Sequence, residues 1–160
     1  MATFNKFNSF VADIGLKALN LNTDSLFILL TNTAPDPADT VVDTTTSTCT
    51  VKSTSNAAEI TAANGYTKKG ASVGSNAYSQ TSGTAKLTGN AVTYTASGGT
   101  IGAFRYAVLF DDTSGTTSTR SVIGYWDLGS ITLQDGQSLK VGKDTSGNNW
   151  DSSTPILSIT

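Results

Sequence analysis

Ile101-Gly102-Ala103-Phe104-Arg105-Tyr106-Ala107-Val108-Leu109-Phe110 and, after a polar loop, Val122-Ile123-Gly124-Tyr125-Trp126-Asp127-Leu128 are the two runs that decide the fold. Both are too rich in aromatic and β-branched residues, and too short, to read as anything but strands of a packed sheet. An antiparallel hairpin centred on Thr116 sets Tyr106 against Trp126, Phe104 against Leu128 and Phe110 against Val122 on one face. On the other it sets Leu109 against Ile123, Ala107 against Tyr125 and Arg105 against Asp127. Aromatic pairs and opposite charges then lie across from one another, as cross-strand pairing favours. This register predicts that Arg105 and Asp127 are neighbours.

Downstream, Asp135-Gly136 is a turn signal. A two-residue hairpin there would mismatch the apolar positions, so the expectation is a bulged loop or a turn carrying the chain between two sheets. Residues 142–153 read as a polar loop and Pro155–Ile159 as a short last strand. Upstream, Leu26–Leu30 is wholly apolar, the mark of a strand buried on both faces. Ala57–Ile60, Thr84–Leu87 and Ala91–Ala96 add short strands. Asn64-Gly65 marks a turn, and Gly70, Gly74 and Gly83 keep the strands between short or bulged.

The N-terminus differs. Phe4, Phe7, Val11, Ile14 and Ala18 recur at spacings of three and four, which predicts an amphipathic helix within residues 1–22. Thr3 would cap it, and Asp13 and Lys17 would pair on its outer side. Its apolar face packs on the core or docks on a neighbouring subunit. Residues 33–56 form a Pro- and Thr-rich stretch with Pro35, Pro37, Asp36, Asp39 and Asp43. It reads as an exposed loop or as an arm ordered against a neighbour. The sum is a mainly β chain: one domain over residues 1–160, an antiparallel β-sandwich with one N-terminal amphipathic helix.

Composition narrows function. Ser and Thr supply 46 of the 160 residues, while only 14% are charged and the net charge is −2. That suits strands with neutral polar outer faces. It argues against a phosphate-neutralising nucleic-acid surface and against a polybasic membrane anchor. No histidine is present, which removes the commonest general base and metal ligand. The single cysteine, Cys49, can form no intrachain disulfide and reads as a loop residue. No secretory leader or membrane span is legible, so the expectation is a soluble chain made in a cytoplasm.

Asp112-Thr113-Ser114-Gly115 and Asp144-Thr145-Ser146-Gly147 are identical, but each has one residue more than the Asp-Thr-Gly turn of aspartic proteases, and turn residues explain them. Asp111, Asp112, Asp135 and Asp144 lack the spacing of a calcium loop. Glu59 is the only glutamate, and no carboxylate pair is marked out for glycoside hydrolysis. The expectation is a non-enzymatic protein without metal or cofactor. Trp150, in the polar run Asn148-Asn149-Trp150-Asp151, reads as an exposed interface anchor.

Several segments resemble small structural proteins of tailed bacteriophages: Phe4-Asn5-Lys6-Phe7-Asn8-Ser9-Phe10, Leu30-Thr31-Asn32-Thr33-Ala34-Pro35, Ile60–Tyr66, Phe104-Arg105-Tyr106-Ala107-Val108 and Gly124-Tyr125-Trp126-Asp127. The resemblance spans Met1–Pro35 and Glu59–Val141, not the Thr-rich insert. It implies a virion component made in the host bacterial cytoplasm, foremost a capsid decoration (cement) protein on the capsid exterior. Such proteins are often trimers and bridge major capsid protein subunits. The alternative is a tail- or fibre-associated component that binds the host surface. The resemblance supplies no contact map. On physical grounds the candidate interface residues are Phe4 and Phe7, then Pro35, Pro37, Val41 and Val42 of the arm, and Trp150.

Overall fold

The computed structural model describes residues 2–143 and 148–160. In chain order the elements are β1 (Phe4–Lys6), α1 (Asn8–Gly15), β2 (Leu26–Thr31), β3 (Val41–Asp43), β4 (Thr50–Lys52), β5 (Ala57–Ala58) and β6 (Ala71–Ser72). There follow β7 (Ala77–Thr81), β8 (Thr84–Thr88), β9 (Val92–Thr95), β10 (Ile101–Asp111), β11 (Arg120–Leu133), β12 (Ser138–Val141) and β13 (Leu157–Ile159). The chain is mainly β with antiparallel pairing and one short N-terminal helix. The large sheet runs β5-β4-β3-β11-β10-β2-β6, with β1 also on β11. Two smaller sheets, β12-β9 and β13-β8-β7, hold the remaining described strands.

The central strands β2, β10 and β11 are apolar on both faces because each face meets a core. On one side, Leu26, Ile28, Leu30, Phe104, Leu109, Ile123 and Trp126 pack against Leu87, Val92, Tyr94, Val141 and Leu157 of the small sheets. On the other, Leu29, Val108, Phe110 and Val122 pack with Phe7, Val42, Cys49, Val51 and Ala57. Each fully buried aliphatic or aromatic side chain contributes about 1.5–3 kcal/mol relative to exposure.

The β10–β11 register differs from the expected one. Phe110 does face Val122, but Leu109 then faces Gly124, Val108 Tyr125, Ala107 Trp126 and Tyr106 Asp127. The slip comes from a bulge at Ile123. Val122 belongs to one core and Trp126 to the other. Strict alternation would put both on the same face, so the extra residue is what lets each side chain reach its core. A second irregularity sets residues 128–130 opposite Arg105 alone.

The Asp135-Gly136 turn carries the chain from β11 in the large sheet to β12 in a small one, where Leu139 faces Tyr94 and Val141 faces Val92. β2 is buried along its length except for partly covered Phe27. At Asn64-Gly65 both residues take left-handed conformations, φ 53° and 97°. A Cβ on Gly65 would lie 2.2 Å from the Thr95 carbonyl oxygen, so this turn needs glycine twice over.

The N-terminal helix is shorter than its periodicity implies. Phe4–Lys6 are a strand on β11, and α1 begins only at Asn8. Phe7 is the extended N-cap residue, and its side chain makes no cap. The Asn8 amide instead donates to the Pro37 carbonyl at 2.9 Å. The helix ends with Lys17 at φ 58°, the Ala18 amide reaching back to the Asp13 carbonyl and the Lys17 amide to the Ile14 carbonyl. That is the Schellman closure, with lysine where glycine is usual.

Residues 33–56 are not a free arm. β3 and β4 pair with each other and join the large sheet through β11. Asp39, 0% exposed, accepts hydrogen bonds from the Thr54 and Ser55 amides at 2.7 and 2.8 Å, from the Ser55 hydroxyl and from the Asp36 amide. Burial pulls its carboxyl up, but these donors together outweigh it and hold the group below the usual carboxylate range.

Candidate functional site

Four of the expected contact residues are internal. Phe7 and Val42 are 0% exposed in the second core, Phe7 with its ring 5.3 Å from that of Tyr125. Trp150 is 4% exposed and stacks on Trp126 at 5.8 Å. Its amide and carbonyl both pair with Gly89, so the polar run around it lies flat on the first core. Sequence polarity misled here because Asn149 turns its side chain to the Ala91 amide. Pro35 is also buried. Pro37 is exposed, Val41 is half-buried, and Phe4 is half-buried against Trp126 with ring centroids 5.0 Å apart.

Arg105 and Asp127 do meet. The guanidinium donates from Nε to Oδ1 at 2.9 Å and from a terminal nitrogen to Oδ2 at 2.7 Å. Tyr106, not Arg105, is the residue directly across from Asp127, and the irregularity at residues 128–130 lets the arginine reach it. The guanidinium, aided by the Gly129 amide, lowers the Asp127 carboxyl to about 2. Both side chains are well exposed, so the pair is screened by solvent.

The buried polar groups serve the scaffold. Glu59 Oε1 accepts the Cys49 amide at 2.6 Å, and Oε2 accepts the Tyr66 hydroxyl at 3.0 Å and the Lys69 amide at 2.9 Å. Tyr66 in turn accepts the Leu30 amide, and the Tyr94 hydroxyl donates to the Ile28 carbonyl. Burial, then the Glu59 charge, pushes the Cys49 thiol up to about 12, which leaves it without nucleophilic thiolate at neutral pH. Asp111, 0% exposed, accepts the Thr113 and Ser114 amides. Burial raises its carboxyl, and neighbouring Asp24 adds to the rise. Asp112 pairs with Lys69 at 2.8 Å and Arg120 at 3.4 Å. These carboxylates close a turn, and Asp111 is sealed from any substrate. The matching run Asp144–Gly147 lies outside the described residues.

Among the described residues Lys52, Lys69, Arg105, Arg120 and Lys143 are in ion pairs, and Lys68 and Lys86 donate to backbone carbonyls. The charge is therefore dispersed rather than gathered in a patch. Among the described residues no group of three or more His, Cys, Asp or Glu is placed to hold a metal, and no helix is long and apolar enough to cross a membrane.

A groove of about 820 Å³ lies between β1 and α1 on one side and residues 155–160 on the other. Phe4, Phe10, Val11 and Ile14 line one wall, and Ile156, Leu157 and Ile159 the other. Its walls are mostly apolar, with Lys6 among the lining residues, so it suits binding by burial. Sequence reasoning named Phe4 but missed the C-terminal wall, whose short strand carried no sign of what it would face.

In comparisons with known proteins, no family model matches this chain, and no curated protein or solved structure matches it.

Proposed function

We propose that this chain is a structural protein of a tailed-bacteriophage virion, a capsid decoration protein that bridges major capsid protein subunits from outside and stabilises the DNA-filled head. It acts by occupying and joining surfaces, without catalysis and without a cofactor. The observation that carries the reading is the resemblance of the Phe4–Phe10, Phe104–Val108 and Gly124–Asp127 segments to small phage structural proteins. The geometry supports it: the buried carboxylates Asp39, Glu59 and Asp111 all serve backbone and side-chain donors of the scaffold, and the groove beside α1 is largely apolar. Several copies on one assembly, a trimer in this reading, would multiply weak contacts into a firm hold.

A tail- or fibre-associated role in host binding would draw on exposed aromatic faces. Here Trp126, Trp150, Tyr66 and Tyr94 are each under 5% exposed, and Tyr78, Tyr106 and Tyr125 are partly covered. The test is the heat stability of phage heads assembled with and without the protein. Heads lacking it should release DNA at lower temperature and regain stability when the purified chain is added back. Equal release temperatures would overturn the decoration role.

A further inference from the structure

The groove has two features that a featureless apolar dent lacks. First, two strands border it, and each has an edge that pairs with no described strand: β1, which pairs only with β11, and β13, the outermost strand of its sheet. The Ile156 amide is already bonded to the Leu87 carbonyl of β8. Leu157 stands opposite Leu87 and Ile159 opposite Ala85, the two β8 residues whose backbone groups turn away from β7, so both bond to β8 and alternation turns the Ser158 amide and carbonyl to the open edge. Second, two of the three large apolar side chains exposed among the described residues line it, and the third is next in sequence to a lining residue. Val11 (55% exposed) and Ile159 (37%) line the groove, and Leu16 (78%) follows the lining residue Gly15. Scattered exposed apolar residues mean little, but a cluster marks a contact surface.

Charge identifies the occupant further. Lys6 is the one charged side chain lining the groove, and it makes no ion pair among the described residues. We propose that the groove receives an extended strand of another polypeptide, apolar at alternate positions, which pairs with the open edge of β13 and sets a carboxylate beside Lys6. Main-chain bonds to β13 supply the hold, and the alternate side chains entering between α1 and β13 supply the selectivity. A second copy fits less well: a two-fold axis through the groove sets hollow against hollow and lysine against lysine. On the reading given above, the strand belongs to the major capsid protein, and that assignment of its source rests on that reading.

The test uses the full chain and a six-residue peptide alternating valine and threonine with one central glutamate, followed by amide NMR. Binding should shift the resonances of residues 4–6 and 157–159 and slow hydrogen exchange at the Ser158 amide. Lys6→Glu, an exposed change that leaves the core intact, should weaken the glutamate peptide about two- to fivefold and reverse the preference toward a lysine peptide. Methylating the peptide amides that face β13 should weaken binding about tenfold, whereas methylating the other alternate set should not. No shift at millimolar peptide overturns the proposal. So does equal binding of the two methylated peptides, and so do groove resonances that move with protein concentration alone, which would make a second copy the occupant. These measurements are independent of the particle. Peptide binding by a chain that proves absent from heads would remove the decoration role and leave the strand site standing.

Discussion

The indoles of Trp126 and Trp150 lie stacked, 5.8 Å apart with planes inclined by 23°. One belongs to the longest strand of the large sheet, the other to a polar-looking segment near the C-terminus, and their contact ties the last described stretch to the first core.

Truncating that contact should therefore unfold more than a loop. Trp150→Ala removes a ring that is 4% exposed and should cost about 3–5 kcal/mol, the range for large aromatic truncations. Denaturant melts followed by Trp126 fluorescence check it. A change under about 0.5 kcal/mol, the usual size at exposed sites, would mean that the ring lies outside the core.

Gly124 and Gly102 stand on facing strands but in opposite surroundings. A Cβ on Gly124 would sit 2.1 Å from the Phe4 ring and 2.8 Å from the Asn5 carbonyl oxygen, whereas one on Gly102 meets nothing within 4 Å. Gly124→Ala should push β1 off β11 at a cost of about 1–3 kcal/mol. Gly102→Ala should be neutral or stabilise by up to about 1 kcal/mol. Hydrogen exchange at the Asn5 amide should quicken only in the first variant.

The Arg105–Asp127 pair has a signed pH dependence. The folded state holds the Asp127 carboxyl at about 2, below its ordinary 3.8. Its contribution is therefore fully present above pH 3.8 and is lost as pH falls through about 2. Asp127→Asn should melt slightly below the wild type at pH 7, and the difference should close near pH 2 and shrink in high salt. A gap that stays constant across that window would show that the carboxylate's charge is immaterial.

Cys49 and Glu59 can be read with one reagent. The thiol is buried and pushed up to about 12, so an alkylating agent at pH 8 should label it only as fast as the chain opens. Glu59→Gln puts an amide NH₂ where two oxygens accept three donors, and should cost about 1–3 kcal/mol for the group left unpaired. Labelling of Cys49 should accelerate in step. Rapid labelling of the wild type would contradict the burial.

Much of the fold is legible from residue pattern. Leu26–Leu30 announces a strand covered on both faces, and the mismatch of Leu133 and Leu139 around Asp135-Gly136 announces a change of sheet. The misreadings share a cause: each concerns a contact made far along the chain. Phe4 and Phe7 fit helical spacing, yet β11 offers an open edge and Gly124 a gap for the Phe4 ring, and strand pairing wins. The bulge at Ile123 leaves no local mark, because it answers to which core Val122 and Trp126 must reach. Asp39 looks like loop charge until Thr54 and Ser55 close on it. Trp150 looks exposed because its neighbours are polar, and its partner lies 24 residues earlier. The groove was half legible for the same reason: its two walls come from opposite ends of the chain.

The most direct measurement of the central proposal is the position of this protein on an intact phage particle, by reconstruction or by labelling of a tagged chain. The account predicts many copies spread over the outside of the head, at junctions between capsid protein subunits. A few copies confined to the tail tip, or a complete particle without the protein, would contradict it.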